Sequence, residues 1–419
     1  MTEGRSQPGQ PARRRLVRRD ATKVRFLELF FDLVFVLAFT QCTALIVVEP
    51  SWAGMVRGLL VLALLWWAWG GYAWLTSVID PEEGAVRIAM FGAMAALLVV
   101  ALTVPEAFSD LGLAFAVAYG VVRAAHLALF VLASHDDPGL RHSVATLSAS
   151  SAIGLGLLVT AAFLDGVPQG ALWALAIAID YGGPAIFGVA GWRLVPSHFA
   201  ERYGLIIILA LGESIVVLGV GAEVGLSLAV GTAAVLGVAL AAAMWWAYFD
   251  VVALVTERRL LQMPEGRARN AFARDSYTYL HLPMAAGIVL VAAGVENAVA
   301  HVDEPLSTVP AAALLGGVAL YLLGHVALRL RNARSLNYQR LGLAAVLLAL
   351  VPVATQLPSL VTLAGVTGLF WLLIGLETWR YGERRTRLRH DHLHPGGHTD
   401  PGPAIPVREP PAQEETGRG

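Results

Sequence analysis

Apolar residues run along this chain in long unbroken blocks, and polar residues collect between them. A bilayer core about 30 Å thick takes about 20 helical residues to cross. Twelve blocks approach that length: Phe26–Val48, Gly58–Val78, Ile88–Val104, Leu111–Ala133, Ser143–Leu164, Ala171–Ala190, Tyr203–Val220, Leu226–Val251, Tyr277–Val299, Ala311–Leu328, Tyr338–Thr355 and Leu360–Leu376. The eleventh is interrupted by Pro352. Within the blocks apolar and polar residues do not alternate, so they are not strands of a membrane barrel. Helices satisfy their own backbone groups in lipid. The pattern predicts an all-α polytopic integral membrane protein with about twelve transmembrane helices.

Charge sharpens the picture. Basic residues crowd the N-terminal tail, every second connection and the C-terminal tail, as in Arg13–Arg15, Arg141, Arg193 with Arg202, Arg258–Arg274, Arg329–Arg340 and Arg380–Arg389. Arg57, beside a connection of the other set, and Arg123, inside a span, depart from this segregation. The positive-inside rule then puts both termini in the cytoplasm of a bacterial inner (plasma) membrane protein. The basic N-terminal stretch leads into a full-length span with no small-residue cleavage site, so the first helix reads as an uncleaved anchor. Composition agrees: 57% of the residues are hydrophobic and 15% charged, against about 25% charged in a soluble chain. A single cysteine, Cys42, excludes an intramolecular disulfide framework and a cysteine metal site.

The chain divides into a basic tail (1–24), a first six-helix unit (25–193), a second (194–388) and a Pro- and Gly-rich tail (389–419) expected to be disordered. The units echo each other. Phe26-Leu27-Glu28-Leu29-Phe30 resembles Phe199-Ala200-Glu201-Arg202-Tyr203. Trp66-Trp67-Ala68-Trp69 resembles Trp245-Trp246-Ala247-Tyr248, and Val104-Pro105-Glu106-Ala107 loosely echoes Val295-Glu296-Asn297-Ala298. Six helices per unit implies two parallel repeats about an axis along the membrane normal, as in some transporters.

Ionisable groups inside a span cost several kcal/mol unless paired, so each is a candidate site. Glu28 and Asp32 share one helix face, and Asp32 lies about 10 Å beyond Arg25. Two acids side by side suit a cation or a proton; the plainer alternative is neutralisation by Lys23 and Arg25 at the interface. Glu213 lies about 15 Å past Tyr203, near the bilayer midplane, where its partner must come from another helix. Gly212 beside it reads as a site of close helix approach, and Ser214 as a second oxygen. Arg123, with His126 one turn on, reads as the one basic residue deep in a span and needs a water-filled cavity or an acid, for which Asp32, Asp180 and Glu213 are the candidates. His126 and His281 are candidate proton relays, as is His325, although a lone histidine on an apolar helix is more often a packing residue.

Other signals are weak. Trp66–Trp74 packs in the bundle or anchors the interface. The histidines of the tail (His390, His392, His394, His398) bind metal only incidentally. No metal site is expected within the membrane. No phosphate-binding or dinucleotide-binding glycine loop is present, so no cofactor is expected. Arg258–Arg274 reads as topology-setting charge facing lipid headgroups, not nucleic acid.

The stretches Glu28-Leu-Phe-Phe-Asp32-Leu-Val-Phe-Val, Trp66-Trp67-Ala68-Trp69, Phe199-Ala-Glu201-Arg202-Tyr203-Gly204, Leu211-Gly212-Glu213-Ser214 and Tyr279-Leu-His281-Leu-Pro283 leading to Glu296 resemble the bacterial low temperature requirement A (LtrA) family. The resemblance covers roughly residues 24–385. It implies a polytopic inner-membrane protein linked by name to growth in the cold, without an established activity or catalytic residues. The expected function is therefore read from the residues: a proton- or cation-linked transporter or permeation pathway at the repeat interface, with Glu213 and Asp32 binding the ion and Arg123 balancing charge. The alternatives are an integral-membrane enzyme with a carboxylate–histidine pair, acting on a lipid or small molecule, and a non-catalytic membrane factor for growth in the cold. The partners expected are membrane lipid and a small ion or solute, and the chain is compatible with a homo-oligomer.

Overall fold

A computed structural model describes residues 23–189, 191–221 and 227–393. The disorder expected of the C-terminal tail is not found over 389–393, which continue the last helix; the rest of that tail, with His394 and His398, and most of the N-terminal tail fall outside these residues. Among the described residues there are fourteen α-helices and no strand: α1 Phe26–Val48, α2 Trp52–Thr76, α3 Gly84–Thr103, α4 Gly112–Ala133, α5 Pro138–Ala161, α6 Gly166–Phe187, α7 Pro196–Gly221, α8 Leu228–Phe249, α9 Val252–Leu261, α10 Arg267–Ala273, α11 Leu282–Ala300, α12 Thr308–Ala333, α13 Tyr338–Ala354 and α14 Ser359–Leu393. Each of the twelve expected spans falls on a helix. Eleven spans are long and apolar enough to cross a bilayer, and α13, with its internal Pro352, is shorter at 17 residues. The chain is an all-α polytopic membrane protein. The short α9 and α10 were not expected as elements of their own, and α10 continues through a π-helical turn, Arg274–Tyr279, toward α11.

Helix starts follow local chemistry. Ser51 accepts from the Gly54 amide at 3.0 Å and opens α2. Asp137 accepts from the Gly139 and Leu140 amides, each at 3.1 Å, ahead of Pro138 at the first turn of α5. Such side chains satisfy amides that a helix start leaves unpaired. Glu28 reaches back to the Arg25 amide at 2.8 Å and closes the start of α1.

The centre of the bundle is built from α2, the unit Arg267–Ala300 and α12, each with over 70% of its apolar window buried, against 28% for α6. The α11–α12 seam is held by glycines. A methyl group on Gly317 would stand 2.8 Å from the Gly287 carbonyl, and one on Gly294 would meet the Leu314 backbone at 2.6 Å. Small residues let membrane helices approach this closely. The Trp-rich part of α2 packs inside: Trp66, Trp69 and Tyr72 are fully buried. Large apolar side chains such as Ile88, Val167, Leu228 and Trp379 are exposed on the outside, as lipid contact requires.

The element that joins the halves is α1. It packs on α2 and α3 and also on α7 and α11.

Candidate functional site

Glu28 and Asp32, one turn apart on α1, both point inward and are fully buried. Across from them α7 presents His198 and Arg202, also one turn apart and also fully buried. Arg202 donates through Nη1 to Glu28 Oε1 at 3.0 Å and through Nη2 to Asp32 Oδ1 at 2.6 Å. Its Nη1 also reaches the Thr76 hydroxyl at 3.2 Å, and its guanidinium lies 5.7 Å from the Trp69 ring. Trp69 donates from Nε1 to Asp32 Oδ1 at 2.8 Å. His198 Nε2 stands 3.0 and 3.2 Å from the two oxygens of Glu28. Its Nδ1 stands 3.3 Å from the Ser77 oxygen, whose own proton goes to the Ala73 carbonyl at 3.0 Å. Both ring nitrogens therefore face acceptors, and the imidazolium form satisfies them together. Two cations then balance two anions. Asp32 Oδ2 and Arg202 Nε have no hydrogen-bond partner.

This cluster corrects two expectations. The Arg25 guanidinium does not neutralise Glu28 and Asp32: it pairs instead with Asp80 at 3.3 Å and Glu82 at 3.9 Å. Arg123 is not the one basic residue inside a span, because Arg202 and Arg340 are buried in α7 and α13. The apolar block of the seventh span begins only at Tyr203, which left Arg202 in a connection. The signal that finds it is Pro196, a good first-turn residue, which starts the helix two turns earlier and puts His198 and Arg202 at i, i+4.

Arg123 and Asp180 meet, as one of the three pairings expected. Their closest atoms are 3.7 Å apart and Ser151 bridges them, accepting from Arg123 Nη2 at 2.5 Å and donating to Asp180 Oδ1 at 2.7 Å. His126 packs against Tyr72 and Phe130. Glu213 is buried under α1, and neither of its oxygens completes a hydrogen bond of standard geometry. The Thr43 hydroxyl faces it while donating to the Phe39 carbonyl at 3.4 Å. Gly212 and Ser214 do not act as expected. No atom of another residue lies within 4 Å of a methyl placed on Gly212, and Ser214 donates to the Leu211 carbonyl at 2.7 Å.

His281 is tied at both nitrogens. Nδ1 donates to the Ser276 carbonyl at 2.8 Å, leaving Nε2 to accept from the Tyr248 hydroxyl at 2.8 Å. This is a packed histidine with both ring nitrogens engaged. Among the described residues no hydrogen bond or ion pair joins Asp32, Arg123 and Glu213, so the groups expected to share one cavity occupy three places. No set of three His, Cys, Asp or Glu residues among the described residues is placed to hold a metal ion.

Two further networks escaped the sequence. Arg340 and Glu377 form a buried bidentate pair at 3.0 and 2.9 Å between α13 and α14. Thr278, on the π-helical turn, accepts from Trp66 Nε1 at its carbonyl (2.7 Å) and from Trp74 Nε1 at its hydroxyl (3.1 Å), with the Tyr203 hydroxyl 2.8 Å from the latter. A π-turn shifts the helical bonding pattern, which is how such turns come to serve other partners. Arg274, read as lipid-facing, turns inward to the Pro184 carbonyl at 2.6 Å and to Asp275.

Comparison with known proteins agrees with the architecture. Residues 23–375 match the family of bacterial low temperature requirement A proteins (LtrA). An uncharacterised protein of Rhizobium meliloti (strain 1021) is 30% identical over 379 residues, which cover 86% of this chain and 90% of that protein. No solved structure matches. With the family pattern running through the whole helical body that holds the α1–α7 cluster, the chain belongs to the bacterial low temperature requirement A protein family.

Proposed function

We propose that the chain is a proton-linked transporter or permeation pathway of the bacterial inner membrane, with both termini cytoplasmic, in which the Glu28–His198–Arg202–Asp32 cluster binds the proton. The observation that carries this reading is the cluster's charge count. With His198 protonated, the four described groups, all removed from solvent, balance as two cations against two anions. Arg202 keeps its proton under all ordinary conditions. Loss of the His198 proton leaves one uncompensated negative charge in a low-dielectric site, which costs several kcal/mol. The seam between α1 and α7 then has to open to water or accept another cation. One proton thus decides whether the two halves stay closed against each other.

The same placement supports two parallel six-helix repeats, 25–193 and 194–388, moving against each other about this seam. α1 and α7 open the two halves, and each brings an i, i+4 polar pair to the same cluster. The repeat motifs are not equivalent in burial, however. Glu28 is fully buried, whereas Glu201 is exposed and accepts from the Val24 amide at 3.2 Å. In this reading Glu213 is a second buried acid further along the α1–α7 seam.

The test is flux in proteoliposomes driven by a pH gradient, with wild type, Glu28→Gln, Asp32→Asn and His198→Gln. Wild type is expected to dissipate the gradient, alone or with a cation or solute from a broad panel, and each variant to lose at least tenfold. Equal flux in all four proteins, or none in any across the panel, removes the reading and leaves a non-catalytic membrane factor. The tight glycine seam of α11 and α12 favours that second reading, since it suits a rigid scaffold.

A further inference from the structure

A small internal cavity lies between α2, α4 and the start of the Arg267–Ala300 unit, apart from the α1–α7 cluster. Its volume is about 20 Å³, and its lining includes Trp67, Gly71, Arg123, His126, Trp192 and Arg274. A cavity above about 10–15 Å³ has room for one water-sized guest. The lining is unusual in its polar atoms. Arg123 Nε and Nη1, Trp67 Nε1 and Trp192 Nε1 are buried without a hydrogen-bond partner, and His126 faces the Gly71 backbone without completing a bond of standard geometry. Arginine and tryptophan nitrogens only donate. Unmade bonds to buried donors cost about 1–3 kcal/mol each, more when the donor is charged.

The charges lean the same way. Arg123 is matched by Asp180, but only at 3.7 Å and through Ser151. Arg274, which lines the cavity, pairs with Asp275 at 2.7 Å, an acid it shares with the exposed Arg331 at 3.0 Å. The space itself depends on a glycine. A methyl group on Gly71 would stand 2.8 Å from the His126 ring and 3.2 Å from Arg123 Nη1.

We propose that this cavity is a binding site for one small inorganic anion of halide size, held by Arg123 with the indole N–H groups of Trp67 and Trp192. A halide accepts from N–H donors of this kind and brings no proton that needs an acceptor. A water would have to find acceptors for two protons in a lining whose unpartnered side-chain atoms are mostly donors. The site does not depend on transport: it holds as well in a scaffold as in a carrier.

The experiment uses the full-length protein in detergent, transferred to sodium gluconate and titrated with sodium chloride or bromide at constant sodium. Thermal unfolding is followed by tryptophan emission. Wild type is expected to gain a few °C in midpoint, saturably, because a guest that binds only the folded state stabilises it as its concentration passes Kd. Gly71→Ala and Arg123→Gln are expected to lose that gain. A midpoint that rises equally with gluconate, or equally in wild type and both variants, overturns the proposal. Should either variant fail to fold, crystals of wild type grown in bromide decide: an anomalous peak between Arg123 and Trp192 upholds the site, and its absence there overturns it.

Discussion

Arg202 shows what one side chain decides in this protein. It is the cation that lets Glu28 and Asp32 stay ionised out of reach of water, with bonds of 3.0 and 2.6 Å to the two acids. Removing one member of a buried ion pair costs about 3–5 kcal/mol, because the other charge is left behind. Arg202→Gln is therefore expected to destabilise the protein by about that much, read from unfolding in detergent. The combined change Glu28→Gln, Asp32→Asn, Arg202→Met removes both acids with the arginine, lets His198 stay neutral, and is expected to recover most of the loss. Recovery in the triple variant separates an electrostatic role from simple packing. His281 makes the opposite point: its two bonds to the Ser276 carbonyl and the Tyr248 hydroxyl keep both ring nitrogens occupied.

At the scale of elements, the α11–α12 seam sets the core. Gly317 and Gly316 are sequence neighbours with opposite surroundings. A methyl on Gly317 would meet the Gly287 carbonyl and the Val291 amide at 2.8 Å, whereas one on Gly316 would find nothing within 4 Å. Gly317→Ala is expected to cost about 1–3 kcal/mol by forcing two backbones apart. Gly316→Ala is expected to stabilise by up to about 1 kcal/mol, since alanine loses less entropy in a helix. Unfolding midpoints of the two variants should move in opposite directions. The π-turn at Arg274–Tyr279 is the second element-level device, because it puts Thr278 where three aromatic side chains from α2 and α7 bond to it.

For the whole molecule, the proposed arrangement makes a topological prediction. With both termini cytoplasmic, the connection between α3 and α4 is outside and that between α4 and α5 inside. Asp110 and Asp136 are exposed on these two connections. In a Cys42→Ser background, Asp110→Cys is expected to react with a membrane-impermeant maleimide in intact cells, and Asp136→Cys only after permeabilisation. The reverse pattern would invert the proposed orientation. Native Cys42 is fully buried in α1, so the wild-type protein is expected to stay unlabelled.

The number, length and order of the spans follow from the sequence alone, because each block must cross the same thickness of hydrocarbon whatever its neighbours are. Even the short eleventh span announces itself through Pro352. The sequence also marks Glu28, Asp32, Arg123 and Asp180 as residues in need of partners, since a buried charge is costly wherever it sits. Which partner each one takes depends on how helices far apart in the chain rotate and lean together. Asp32 could have met Arg123 on charge alone, but α1 packs on α7 and so it meets Arg202. Helix periodicity in lipid says little about rotation, because every face is apolar. The glycine contacts, the π-turn and the paired charges set it, and those exist only once the bundle has closed.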